Sequence, residues 1–263
     1  MVTSVGLVIG HYSLVIDSDF EFRYSDSFMP FSFLTARWSN LCLLTYAVPP
    51  ALLEPRLPAG LSLDLRDGDA FVSLVAFDFL DTKVLGVSWP GFRNFPEINL
   101  RFYVRHGDER GVVFIREFVP SRLVAFLAKT LYGEPYVAAP MSSCVTQDDG
   151  QITIEHRLTF AGRGNRLRVT GCKPCSLPAA DTTEHFFKEH QWGFGGTRGG
   201  KCIRYQVAHP FWEVYPVHSY DLDWNWAGVY GDEFAFLASV RPCSVVLAAG
   251  SLIRVYPKGK LET

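Results

Sequence analysis

Between Phe95 and Val104 the chain reads FPEINLRFYV, and this alternation leaves little choice of backbone. Successive side chains of a strand point to opposite faces. Ile98, Leu100 and Phe102 therefore share one face, and Glu97, Asn99, Arg101 and Tyr103 share the other. The first face needs a core. The second carries an acid, an amide, a base and a phenol, all costly in an apolar interior unless paired or used. Such a row faces water, forms a purely structural buried Glu97–Arg101 pair, or turns into the lumen of a closed sheet, where every strand presents one face.

The neighbouring sequence favours the lumen. Asp69–Phe79 alternates Phe71, Ser73, Val75, Phe77 and Phe79 against Val72, Leu74 and Ala76, so both faces are mostly apolar and the strand is central. Leu41–Tyr46 is another apolar strand. Pro50–Glu54 starts as a short helix, since proline is tolerated in a first turn. After Phe95–Val104 comes a turn at His106–Gly111, and Val112–Phe118 returns antiparallel. Ser121 caps a helix in which Leu123, Val124, Leu127 and Leu131 recur at helical spacing. Gly133 ends it and Pro135 seals the stop.

Strands dominate the remainder: Tyr136–Thr146, Gln151–Phe160, Arg166–Thr170, Cys202–Val207, Trp212–Val217 and Ser244–Tyr256. Asp181 opens a short helix, Gly193–Gly200 is a glycine-rich loop, Tyr220–Asp232 is irregular, and Asp232–Val240 is helical. No linker, low-complexity segment or fixed-period repeat interrupts the pattern. The fold class is α+β and strand-dominated: a curved antiparallel β-barrel with a few peripheral helices. The 21 Phe and 11 Tyr agree with that. Residues 29–263 form one domain. Residues 1–28 lack the pattern that begins at Met29 and are expected to be a poorly packed extension.

Composition removes several function classes. The 25 Lys and Arg are matched by 27 Asp and Glu, so there is no basic field for nucleic acid. No apolar run is long enough to span a bilayer as a helix. Without a recognisable secretion signal, the six cysteines read as reduced thiols in a cytoplasmic protein.

Three local motifs resemble known chemistry and fail on context. Gly195-Gly-Thr-Arg-Gly-Gly-Lys201-Cys202 is one residue from a phosphate-binding loop. Cys202 replaces the hydroxyl residue, however, and a helix precedes where a strand should. A mobile loop is the simpler reading. Cys172-Lys-Pro-Cys175 follows a hairpin strand rather than opening a helix, so it reads as ordinary turn cysteines rather than a redox pair. His185 and His190 are five apart, which at about 100° per residue points them away from each other on a helix. No metal site is expected, and no cofactor.

The order of several short motifs does carry a resemblance. Arg37-Trp-x-x-Leu41, Leu57-Pro-Ala-Gly60, Val72-Ser-Leu-Val-Ala-Phe77 and Phe95-x-Glu-x-Asn-Leu-Arg-x-Tyr-Val104 come first. Gly111-Val-Val-Phe114, Pro135-Tyr136 with Met141, Glu189-His-x-Trp-Gly193, His209-Pro-x-Trp212 and Ala249-Gly-Ser251 follow. Together they resemble the YqjF-like family of uncharacterised conserved proteins, over roughly residues 31–255. That family is similar in fold to acetoacetate decarboxylase, which implies a barrel with a central cavity. The decarboxylase pattern supplies a Glu on a cavity strand and a Gly-x-Pro-Lys-Lys corner whose first lysine forms a Schiff base. Glu97 matches the Glu, and Gly133-Glu-Pro135 matches the corner. Tyr136 and Val137 stand where the lysines belong, and no lysine lies nearby after Lys129. The decarboxylase Arg has a loose counterpart in Arg37.

The sequence thus leads to a small carbonyl- or carboxylate-containing ligand held in a barrel cavity, without Schiff-base decarboxylation. Glu97 and Tyr136 are the candidate catalytic residues, with Glu97 an acid or base if burial raises its pKa. Arg101 and Arg157 are expected to pair with an anionic group, and Tyr103 and Tyr136 to donate to a carbonyl. Arg37, Asn99, Met141, His190, Trp192 and His209 complete the ligand-binding set. Two alternatives stand beside this. One is a lyase, isomerase or hydrolase acting on a keto or enol substrate without an imine. The other is a non-catalytic interaction protein using Val87–Phe95 and Tyr220–Trp226, for which Trp89, Trp224 and Trp226 need to be exposed together. The partner expected is a small molecule, with no nucleic acid and no membrane, and a homo-oligomer is left open. Treating the protein with acetoacetate and sodium borohydride is expected to leave its mass unchanged. A trapped adduct in the mass spectrum would overturn the reading that imine chemistry is lost.

Overall fold

The computed structural model describes residues 7–9, 12–14, 31–178, 190–196 and 202–261. The chain divides into two units, Met1–Pro30 and Phe31–Thr263. In the first, β1 (Leu7–Ile9) and β2 (Tyr12–Leu14) pair as an antiparallel hairpin. Met29, Asp181, His185, Glu189 and the 197–201 part of the glycine-rich segment lie outside the described residues.

In the second unit a ring of seven strands closes into a barrel. β3 (Leu34–Val48) is followed by α1 (Pro50–Leu53), whose proline sits in the first turn, and by β4 (Ser62–Leu63). β5 (Ala70–Val84) pairs with β3 on one side and with β6 (Phe95–His106) on the other. β6 pairs with β7 (Glu109–Val119). After α2 (Arg122–Tyr132) and β8 (Tyr136–Ala138), the chain leaves the barrel. β9 (Met141–Gln147), β10 (Gln151–Phe160) and β11 (Arg163–Cys172) build a second sheet. The chain then returns as β12 (Trp192–Gly196), parallel to β7, and β13 (Cys202–Ala208). β14 (Val214–Tyr215), β15 (Val217–Asp223) and β16 (Ser244–Ala248) extend both sheets. β17 (Ser251–Val255) joins β13 to β3 and closes the ring, and β18 (Gly259–Lys260) caps β13.

The period of two sorts the core into two halves. Phe71, Val75, Phe77, Phe79 and Tyr103 pack inside the barrel with Trp212. Val72, Leu74, Ala76, Ile98, Leu100 and Phe102 pack outward against Ile154, Leu158, Leu167 and Val169 of the second sheet. β5 is buried on both faces over Ala70–Phe79, as its pattern predicts. β3 serves both partners by bending. Its first half pairs with β17 and its second with β16, and Asn40 at the switch adopts a positive φ of 56°.

Several expectations need correction. Gly193–Gly196 is strand rather than loop, because it supplies the strand that seals the barrel against β7. Tyr220–Asp232 is not irregular: it holds the end of β15 and the helix α3 (Trp226–Tyr230), capped by Asn225. Asp232–Ala238 is a 3-10 helix. Tyr136–Thr146 and Ser244–Tyr256 each divide in two, at Pro140 and at Gly250, whose φ is +79°. Ser121 caps α2 and Gly133, at φ 71°, ends it as expected. Leu123, Phe126 and Leu127, however, lie exposed on that helix.

The parallel seam between β7 and β12 is tight. A Cβ on Gly111 would overlap the Trp192 carbonyl oxygen and the Phe194 ring. Gly111→Ala is expected to cost about 1–3 kcal/mol, read as a lower urea midpoint. An unchanged midpoint would mean that the seam does not hold the barrel shut.

Candidate functional site

β6 delivers Glu97 to the barrel interior, where it is 3% exposed. Its neighbour β7 delivers Glu117 through an irregularity. The register shifts at Leu100/Arg101, so that Leu100 faces Arg116 while Arg101 faces Phe114. The extra residue reverses the alternation. Phe114 and Glu117, three apart, both reach the lumen, and Arg116 turns out to bond the Val229 carbonyl. The corner after α2 brings Glu134 and Tyr136, and β13 brings Tyr205. These five residues and Thr82 line one hollow of about 220 Å³, whose remaining walls are apolar and in good part aromatic, among them Trp38, Phe79, Phe92, Phe95 and Phe114. Val124, Leu127 and Ala128 of α2 border it. Among the described residues, no lysine lines it.

The contacts within the cluster are unequal. The Tyr136 hydroxyl donates to Glu97 Oε2 at 2.9 Å, and Asn99 Nδ2 donates to Glu97 Oε1 at 3.0 Å. Glu117 Oε1 and Glu134 Oε1 are buried without a hydrogen-bond partner. Three carboxyl groups this deep cannot all ionise. Burial pushes Glu97 up to about 7, against the hydrogen bonds of Asn99 and Tyr136 and the charge of Arg101, which lower it. Burial, then the charges of Glu97 and Glu134, hold Glu117 well above the usual carboxylate range. Burial lifts Glu134 to about 8, opposed by a hydrogen bond from Tyr205. Tyr136 and Tyr205 are raised by burial and by the nearby acids, so both stay protonated donors at neutral pH.

A smaller hollow of about 40 Å³ shares Trp38, Phe114, Tyr205 and Val207 with the first. It gathers Arg101, His190, Trp192 and His209. His190 Nε2 lies 3.0 Å from Asp64 Oδ2, which also accepts from Arg110 Nε at 2.7 Å. Burial lowers His190 to about 4, so its imidazole is neutral. His209 stacks on Trp212 with centroids 4.5 Å apart.

Other predicted site residues lie elsewhere. Arg37 is exposed, because Ala36 and Trp38 take the inward positions on either side of it. Arg157 belongs to the second sheet, 62% exposed at its side chain, and pairs with Glu155 at 2.6 Å. Met141 packs against the outer core. Tyr103 faces inward, but its hydroxyl is 2.5 Å from Ser73 Oγ, which in turn meets Thr45 Oγ1 at 2.7 Å. Trp224 and Trp226 are buried while Trp89 is exposed, so the aromatic surface expected of an interaction protein is not assembled. Glu117, Glu134 and Tyr205 were not legible as site residues. Only the polar Glu117 within an apolar strand hinted at one, and the bulge concealed its face.

A family described as DUF2071, uncharacterized conserved protein, matches residues 35–251. The uncharacterized protein YqjF of Bacillus subtilis (strain 168) is 33% identical over 108 residues, 40% of this chain and 44% of that protein. The match thus spans less than half the length of that relative. An acetoacetate decarboxylase-like enzyme from Sphingomonas wittichii RW1 superposes with a TM-score of 0.62 at 14% identity, covering 88% of this chain and 94% of that one. Acetoacetate decarboxylase from Legionella pneumophila gives 0.59 at 15% identity, covering 98% of each. The enduracididine biosynthesis enzyme MppR, complexed with pyruvate, gives 0.60 at 14%, covering 90% and 93%. At these identities the likeness is one of fold, and it agrees with the barrel that the ordered motifs imply.

The acid cluster has a signature in stability. The unfolded chain ionises its glutamates near 4.5, whereas the folded chain keeps two of these protons until about 7 and about 8. The folded state therefore binds more protons across that window, and stability falls as pH rises through it. Urea midpoints should decline most steeply between about pH 6.5 and about pH 8, above the range in which the depressed His190 opposes the trend, and Glu97→Gln with Glu134→Gln should make that decline shallower, leaving the part due to Glu117. A wild-type profile as flat as the double variant would remove the buried-acid assignment.

Proposed function

The chain belongs to the DUF2071 family of uncharacterised conserved proteins, and from that premise we propose that it binds a small, largely apolar carbonyl compound in the barrel lumen, without imine chemistry. The observation that carries this reading is that Glu117 and Glu134 line a hollow walled in part by aromatic rings and each keeps one buried carboxyl oxygen without a hydrogen-bond partner. A neutral carboxylic acid has an O–H to give. A ligand carbonyl is the complementary acceptor, and the aromatic walls suit an apolar body.

The same geometry favours a carbonyl over a carboxylate. A second anion about 4 Å from an ionised Glu97 would cost about 4 kcal/mol at the effective dielectric of a protein surface. Arg101, the expected partner of a carboxylate, lines the smaller hollow instead.

Calorimetric titration with cyclohexanone and acetophenone tests the reading. Binding is expected at neutral pH, weakening as pH rises through about 8, where Glu134 loses its proton. Glu134→Leu should weaken it about tenfold, near the 1.4 kcal/mol of one buried hydrogen bond. Absence of binding by either ketone, or binding that strengthens with pH, would sink the proposal.

A further inference from the structure

We infer that the lumen exchanges protons on its ligand, with Glu97 as the base that removes a hydrogen next to the carbonyl and Glu134 as the acid at the carbonyl oxygen. The inference rests on the carbonyl reading above and adds to it a reaction and a division of roles.

The roles follow from how the three acids are furnished. Glu97 has a donor on each oxygen, the Asn99 amide at 3.0 Å and the Tyr136 phenol at 2.9 Å. Donors that converge on a carboxyl group stabilise its ionised form. Glu117 and Glu134 each keep one buried oxygen without a partner. With Glu97 charged, both neighbours are driven to stay neutral, which burial already favours. The site then holds one carboxylate and two carboxylic acids, all three side chains buried, beside one hollow. Neighbouring groups with proton affinities pushed apart are the arrangement that acid–base chemistry on a carbonyl compound requires.

The step balances without any further reagent. Glu97 takes the hydrogen as a proton, and the C–H electrons become the new carbon–carbon double bond. The carbonyl π electrons move onto oxygen, which takes its proton from Glu134. The enol, a protonated Glu97 and an ionised Glu134 result. Reversal restores the ketone with whichever hydrogen isotope Glu97 has acquired from solvent. Glu117, electrostatically linked to Glu97 and Tyr136, is a positioning residue that keeps a proton beside the base.

The test uses the full chain and acetophenone in deuterated water. The methyl proton signal is followed by nuclear magnetic resonance at a concentration that calorimetry shows to be saturating. Wild type should erase the signal at least tenfold faster than buffer. Glu97→Gln, compared at saturation so that affinity does not enter, should fall to the buffer rate. Tyr136→Phe removes one donor from Glu97 and should move the midpoint of the pH–rate profile upward while exchange persists. That shift also carries the test if Glu97→Gln fails to fold. Saturable binding with exchange at the buffer rate would overturn this inference and leave the binding reading standing. Binding of no ketone would overturn both. A Glu97→Gln rate equal to wild type, or an unmoved Tyr136→Phe midpoint, would overturn the assignment of Glu97 as base.

Discussion

Burying three carboxyl groups side by side is the constraint on which the rest of this molecule depends. An isolated ionised carboxylate in an apolar interior costs several kcal/mol even after relaxation. The cluster avoids that cost by keeping most of its protons and by surrounding Glu97 with donors. Such an arrangement survives only inside an enclosure that keeps the three carboxyl groups from water, since exposure would return each acid to its ordinary range. The enclosure is the barrel. Its closure relies on a parallel contact between β7 and β12 made close by the missing side chain of Gly111. Stability and chemistry are therefore linked at the same seam.

The departure from the lysine-bearing corner follows from the same electrostatics. A lysine at position 136 would place an ammonium among three acids, and each acid would be drawn toward its ionised form. Tyr136 is instead a neutral donor that the surrounding acids hold protonated. The cluster thus exchanges an amine nucleophile for carboxylic acids able to give protons. The proposed acid–base role, rather than covalent attachment, is the one consistent with these electrostatics.

What the sequence revealed and what it hid divide along physical lines. β5 and β6 obey a strict period of two, so the inward row of Glu97, Asn99, Arg101 and Tyr103 was readable from alternation alone, as was the outward row of Ile98, Leu100 and Phe102. β7 breaks the period with one extra residue, and nothing in GVVFIREFV marks where the break falls. A regular strand would have sent Arg116 inward and Glu117 out. Arg157 misled for a different reason. Its strand alternates correctly, but it belongs to the second sheet, and the alternation of a strand does not say which sheet it joins. Gly193 looked like part of a mobile loop. Its true role is steric, for a Cβ there would overlap the Tyr205 ring, and a glycine lets that phenol lie across β12 into the site. Close approach of this kind is set by the partner strand and is invisible locally.

The two hollows bear on why one acid, and not another, gives up its proton first. Trp38, Phe114, Tyr205 and Val207 separate an acidic side from a side containing Arg101, His190 and His209. His190 is held neutral by burial, and the charge of Asp64 is met by Arg110. Among the described residues lining either hollow, that leaves Arg101 as the permanent positive charge. Arg101 stands four residues from Glu97 on the same inward row of β6, and its field favours ionised Glu97. One guanidinium can support one carboxylate in a medium of low dielectric, and a second would go uncompensated. The donors on Glu97 and, to a smaller degree, the arginine on its own strand therefore make it the first of the three acids to ionise, and Glu117 and Glu134 keep their protons.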